Sequence, residues 1–174
     1  PSNASPIYPA AGVGMVAALL GGRPALLAIP FAAMAANVWS IAAGTAEAPT
    51  TAVALMWFGT GIGAAAQAAV GAWMLRRFVA QPLTLSEPTD LARFMLLIAP
   101  LACCVSASVA VPLLLATGAI EIGAVPFVWG AWWIGDALGV LIGAPVFLTL
   151  VGQPRTPGAL GCGRWPCRWR SLPW

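Results

Sequence analysis

The chain has no histidine and no lysine, only five acids, and 7% charged residues in 174. A water-soluble globular domain carries about a quarter charged residues, so this composition excludes one. The missing histidine also removes a phospho-accepting imidazole, a Ser-His-Asp triad, a Cys-His pair and any His-ligated metal. What is present instead is 60% hydrophobic residue. About 20 apolar residues cross a hydrocarbon core of about 30 Å, which leaves room for about five crossings and no separate soluble enzyme domain.

The expected fold class is an all-α integral membrane protein, a polytopic bundle. Continuous apolar runs occupy residues 7–22, 25–43, 51–75, 91–120 and 123–151. Continuous rather than alternating hydrophobicity selects helices over a barrel, and a backbone in lipid must satisfy its own hydrogen bonds. The first run is short, which suits a tilted or reentrant segment. The chain starts at Pro1 in a polar, Pro-rich stretch rather than at a Met or a signal segment. It therefore reads as part of a longer protein, with residues 1–152 a partial membrane domain and 153–174 a cytoplasmic tail, truncated or out of frame.

All eight basic residues are arginine: Arg23, Arg76, Arg77, Arg93, Arg155, Arg164, Arg168 and Arg170. If each run crosses once, all eight fall on one side, while the opposite connections carry Glu47 and Glu121. The positive-inside rule then puts the arginine side in the cytoplasm of a bacterial inner membrane. The arginines lie between apolar runs rather than on one polar face, which argues against nucleic acid as a partner. Cys103 and Cys104 are adjacent and poorly placed to pair, and Cys162 and Cys167 fall in the expected cytoplasmic tail, so no disulfide is expected. Four cysteines without histidine give no zinc pattern, and no cofactor is expected.

Asp136 is the one acid inside an apolar run, about 13 residues past Gly123, near the bilayer centre at 1.5 Å per residue. A central Asp costs about 2.5–3.5 kcal/mol on insertion scales, so it marks a functional site or a specific interhelix pairing. Trp129, Trp132, Trp133 and Asp136 share one helical face at i, i+3, i+4 and i+7. They would form either an aromatic-walled pocket for an unknown small ligand with one acid at its base, or an interfacial Trp belt with Asp136 as interhelix glue. Gly135, Gly139 and Gly143 repeat every four residues, as do Gly59, Gly63 and Gly71 with Gln67 in the missing place. Small residues at this spacing allow close helix packing. Gln67 and Asn37 are then candidates to hydrogen-bond Asp136. Pro30, Pro100, Pro112 and Pro145 predict kinks.

The stretch WWIGDALGVLIGAP, Trp132 to Pro145, resembles the most distinctive part of the first membrane-associated sensor (MASE) family of bacterial signalling proteins. SPIYPAAGVG (Ser5 to Gly14), AANVW (Ala35 to Trp39, with Asn37 in place), GAWMLRR (Gly71 to Arg77) and SEPTDLARF (Ser86 to Phe94) are similar to further parts of the family in the same order. Tyr8 and Ala10 depart from the Trp and Pro usual there. Gln67 stands where an acid is usual, so no charge-dependent role carries over to it. The resemblance, over Ser5 to Val151, implies a sensor module of about eight helices of which this chain holds five. It also implies an output domain in the parent protein, a histidine kinase or a cyclic-di-GMP synthase; a homodimer is a further candidate assembly, with the oligomeric state left open by the sequence. Neither output is written here: there is no histidine and no Gly-Gly-Asp-Glu-Phe motif. Composition alone leaves a second class open, a small permease or the substrate-binding subunit of a vitamin transporter, which also builds a polar site near the midplane.

Overall fold

The computed structural model describes residues 8–42, 50–79 and 87–151, and among them every regular element is helical. They are α1 (Pro9–Ala42), α2 (Thr51–Phe78), α3 (Pro88–Arg93), a π-helical segment (Phe94–Ile98), α4 (Ala99–Ala116), a 3₁₀ turn (Ile122–Ala124) and α5 (Val125–Val151). Asn37 lies in α1 but its side chain is outside the described residues, as are Glu47, Arg155, Arg164, Arg168, Arg170, Cys162 and Cys167.

The runs at 7–22 and 25–43 form one element, α1, broken at Gly22, whose backbone sits at φ 61 and ψ −143. That conformation suits a residue without a Cβ. The break reverses the chain. Positions 14 and 29 would be about 22 Å apart along a straight helix. Instead a methyl added at Gly14 would sit 3.7 Å from Ile29 Cδ1. α1 is therefore a helical hairpin with a short first arm.

Contacts along the helices give their directions. The first arm runs parallel to α5, with Tyr8 and Pro9 against Gly139 and Gly143, and Gly12 against Ala144. It is also parallel to α2, with Gly14 beside Ala68 and Arg76 reaching Leu19. α4 is antiparallel to α2, pairing Thr117 with Met56, Leu113 with Gly59 and Cys103 with Gln67. α5 is antiparallel to α4, with Trp129 on Ser108 and Trp133 on Pro100.

The π segment has a local cause. Pro100 has no N–H to continue the α pattern, and the preceding Ala99 N–H bonds back to the Phe94 carbonyl. Helices α3 and α4 thereby join through one extra residue per turn instead of breaking.

The core mixes many small side chains with a few large ones such as Met15, Leu75, Phe94 and Ile98, while the periphery is rich in large apolar ones. Ala68, Ala99, Ala102, Ala107, Ala137 and Ala144 are buried, while Phe31, Leu96, Phe127 and Leu150 are 67%, 80%, 79% and 73% exposed. Water would penalise such a surface, and lipid does not. Between helices in lipid the stabilisation comes from dispersion at close approach, which small residues permit.

The expectation of five crossings is corrected: among the described residues three stretches are long and apolar enough to cross a membrane, Pro9–Ala36, Pro88–Ala116 and Ile122–Leu150, and the first of them is folded back at Gly22. Two features account for the difference. The first two runs lie in one hairpin, α1, whose first arm is short, and α2 dilutes its apolar residues with Gly59, Gly61, Gly63, Gly71, Thr60 and Gln67.

Candidate functional site

Asp136 is 5% exposed, on the face of α5 that meets α4 and the start of α1. The Ser106 hydroxyl and the Trp132 indole N–H are within hydrogen-bonding reach of its carboxyl. The same indole donates to Ser106 Oγ at 3.2 Å, tying the three groups together. These neighbours are neutral, and among the described residues no cation forms an ion pair with the carboxyl.

The first arm of α1 begins beside this group. Tyr8 N–H donates to the Gly135 carbonyl at 3.2 Å, and Tyr8 is close enough to Asp136 to interact with it electrostatically. Pro9 follows as the first helical residue, a position where its missing N–H costs nothing. The arm is a half-helix that starts level with the midpoint of α5. Its close approach requires glycines on both sides: a Cβ at Gly139 would collide with the Tyr8 carbonyl, and one at Gly12 would lie 2.6 Å from the Gly139 carbonyl oxygen and 2.7 Å from Ala144 N. A Cβ at Gly143 would lie 3.1 Å from Pro9 O and 3.4 Å from Gly12 Cα.

The three tryptophans all turn toward α4. Trp129 donates to Ser108 Oγ at 3.3 Å and Trp133 to the Pro100 carbonyl at 2.9 Å, while the rings of Trp129 and Trp133 stack at 6.2 Å and 13°. Their indole N–H groups are thus spent on joining α4 to α5. A cavity of about 250 Å³ lies elsewhere, at the arginine-bearing end, and none of the tryptophans from 129 to 133 lines it.

Gln67 is 2% exposed on α2 and faces α4, where its Nε2 donates to Cys103 Sγ at 3.4 Å. Among the described residues its Oε1 is buried without a hydrogen-bond partner. Gln67 thus reaches Cys103 on α4, which packs against both α2 and α5, while Ser106 and Trp132 lie beside the Asp136 carboxyl. Gly59 and Gly63 seat Leu113 and Val109 of α4, and Gly71 seats Met15 of α1.

Sequence reasoning missed Ser106, Cys103 and Tyr8 as members of this seam. A signal existed in the run CCVSAS, which carries two hydroxyls and two thiols inside an otherwise apolar helix. Among the described residues no group of three or more Asp, Glu, His or Cys could hold a metal ion.

Membrane-length helices, large apolar side chains facing outward and a carboxyl buried between helices at Asp136 define a helical membrane module. The family model MASE1 matches residues 1–157 of this chain. The chain belongs to that family of membrane sensor domains. No curated protein and no solved structure matches it.

Proposed function

We propose that this chain is the membrane-embedded input domain of a bacterial signalling protein, and that the seam around Asp136 is where it changes state. The observation that supports this most directly is the placement of a buried carboxyl at the junction of α5, α4 and the half-helix of α1, inside a chain of the MASE1 family. A change of charge at Asp136 alters its bonds to Ser106 and Trp132, and with them the seating of Tyr8 on Gly135. Ser106 lies on α4, Tyr8 opens α1, and the Trp132 indole ties α5 to Ser106, so a local event is felt as a shift of α1 or α4. A sensor needs two packings that differ by a few kcal/mol, and a proton or ligand with unequal affinity for them moves the balance.

The arginine-bearing end faces the cytoplasm in this reading. Arg76 donates to the Leu19 carbonyl and Arg93 to the Phe78 carbonyl, which gathers Arg23, Arg76, Arg77 and Arg93 toward one end of the bundle. The output, of kinase or cyclase type, is carried by the parent protein on that side, and the domain functions with a partner copy. Trp129, Trp132, Trp133, Gln67 and Asn37 are the further candidate sensing residues, serving an unidentified small ligand.

The test is Asp136→Asn in the full-length signalling protein, which keeps side-chain shape and removes the charge. Basal output is expected to shift about tenfold in one direction at unchanged membrane level, since about 1.4 kcal/mol of bias between two states is a factor of ten. Unchanged output at equal protein level overturns the sensing role and leaves Asp136 as interhelix glue.

A further inference from the structure

We infer that the cavity at the arginine-bearing end is a binding groove for one anionic phospholipid, with the headgroup phosphate at Arg77 and Arg76 and an acyl chain along the α1–α2 seam. The groove arises from the break at Gly22. Folding the chain back there leaves a wedge between the two arms of α1 and the side of α2, lined by Ala18 of one arm, Leu26 of the other, and Ala72. Small side chains on two of these three walls keep the wedge open, to about 250 Å³. That is room for several methylene groups.

The rim is of a different chemistry. Trp73, Arg76 and Arg77 line the same cavity within the last two turns of α2. Trp73 is 60% exposed and packs edge-on against Phe78 at 6.2 Å, an aromatic pair of the kind that sits at headgroup level. Arg76 holds the first arm of α1 through a bond from its guanidinium to the Leu19 carbonyl, in the last turn before the break at Gly22. Arg77 stands beside it at the exposed rim. Two adjacent guanidinium groups above an apolar slot open to lipid match a phosphate above an acyl chain. Among the described residues no acidic side chain lines the cavity to oppose that charge. The bound lipid would stabilise the hairpin of α1 against α2, and this site is independent of the role proposed for Asp136.

The experiment is native mass spectrometry of the whole chain in mild detergent, titrated with dioleoyl phosphatidylglycerol or dioleoyl phosphatidylcholine. One phosphatidylglycerol should be retained about fivefold or more in preference to phosphatidylcholine, as one arginine near the surface is worth about a factor of five. Arg77→Gln should remove most of that preference. Ala69→Leu, which fills the groove from its α2 wall, should lower retention of both lipids, and if it does not fold, Trp73→Ala, which takes away the aromatic rim contact at an exposed position, should lower retention of both as well. Arg93→Gln changes the net charge equally at the same end but outside the groove, and should leave retention as in the wild type. Equal retention of the two lipids, wild-type behaviour of Arg77→Gln or of the folded groove variant, or a loss in Arg93→Gln as large as in Arg77→Gln would each overturn the assignment.

Discussion

Adding one methyl group at Gly12 or Gly139 should unseat the half-helix of α1. At Gly12 the new Cβ would meet three backbone atoms of α5, the Gly139 O at 2.6 Å, Ala144 N at 2.7 Å and Gly143 C at 2.9 Å. At Gly139 it would meet the Tyr8 carbonyl, again backbone. Flexible side-chain ends can swing aside, but helix backbones move only as a unit. Restoring ordinary contact needs a separation of roughly 0.5–1 Å, which forfeits a quarter to a half of the dispersion energy across the seam. In lipid that dispersion is the main force between helices. Overpacking of this kind costs about 1–3 kcal/mol, and the upper part of that range is expected here because the Tyr8 N–H bond to the Gly135 carbonyl is lost with it. The control lies on the same helix: nothing is within 4 Å of a Cβ at Gly130. Gly130→Ala should therefore be neutral or stabilising by up to about 1 kcal/mol through helix propensity. Gly14→Ala, in ordinary contact with Ile29 and Ala68, should fall near the control. Denaturant unfolding in mixed detergent micelles, followed by far-ultraviolet circular dichroism, gives the ranking. If Gly12→Ala and Gly139→Ala lie within about 0.5 kcal/mol of Gly130→Ala, the spread of an inert surface change, the close approach of α1 to α5 is refuted.

Three further outcomes are expected in the same assay. Gly22→Ala should cost about 1–3 kcal/mol, because the reversal holds that residue at positive φ, and an unchanged midpoint would mean that α1 does not need the break. Trp133→Phe should cost about 1–2 kcal/mol by removing the bond to the Pro100 carbonyl while keeping most of the stacking on Trp129; a neutral result would show that the indole N–H does not join α4 to α5. Gln67→Met should stabilise by about 1 kcal/mol, since an apolar side chain of similar length removes the unpartnered buried Oε1 and gives up only a long contact to sulfur. Destabilisation there would show that the amide oxygen has a partner in the folded protein.

Much of this protein was determined by its sequence alone. Scarce charge and long unbroken apolar runs imposed a helical membrane module, because a backbone in lipid has few ways to satisfy its hydrogen bonds. The spaced glycines of α2 and α5 marked positions that the structure places at helix contacts, since only the smallest side chain permits that approach. The resemblance centred on Trp132 to Pro145 led to the family that the match over residues 1–157 shows. The tertiary structure decided what lies next to what. These helices are apolar on every side, so no hydrophobic face declares which neighbour a residue meets, and the same pattern admits several packings. That is why Gln67 could be assigned to Asp136 when it faces Cys103, and why Ser106 went unnoticed until α4 was set against α5. The break at Gly22 was equally hidden, because Arg23 and Pro24 mark an interruption of a run without saying whether the helix bends or reverses. The reversal shortens one arm, places its start beside Asp136, and opens the groove under Arg76 and Arg77. Those consequences rest on one backbone conformation that the packing of α1 against both α2 and α5 holds in place.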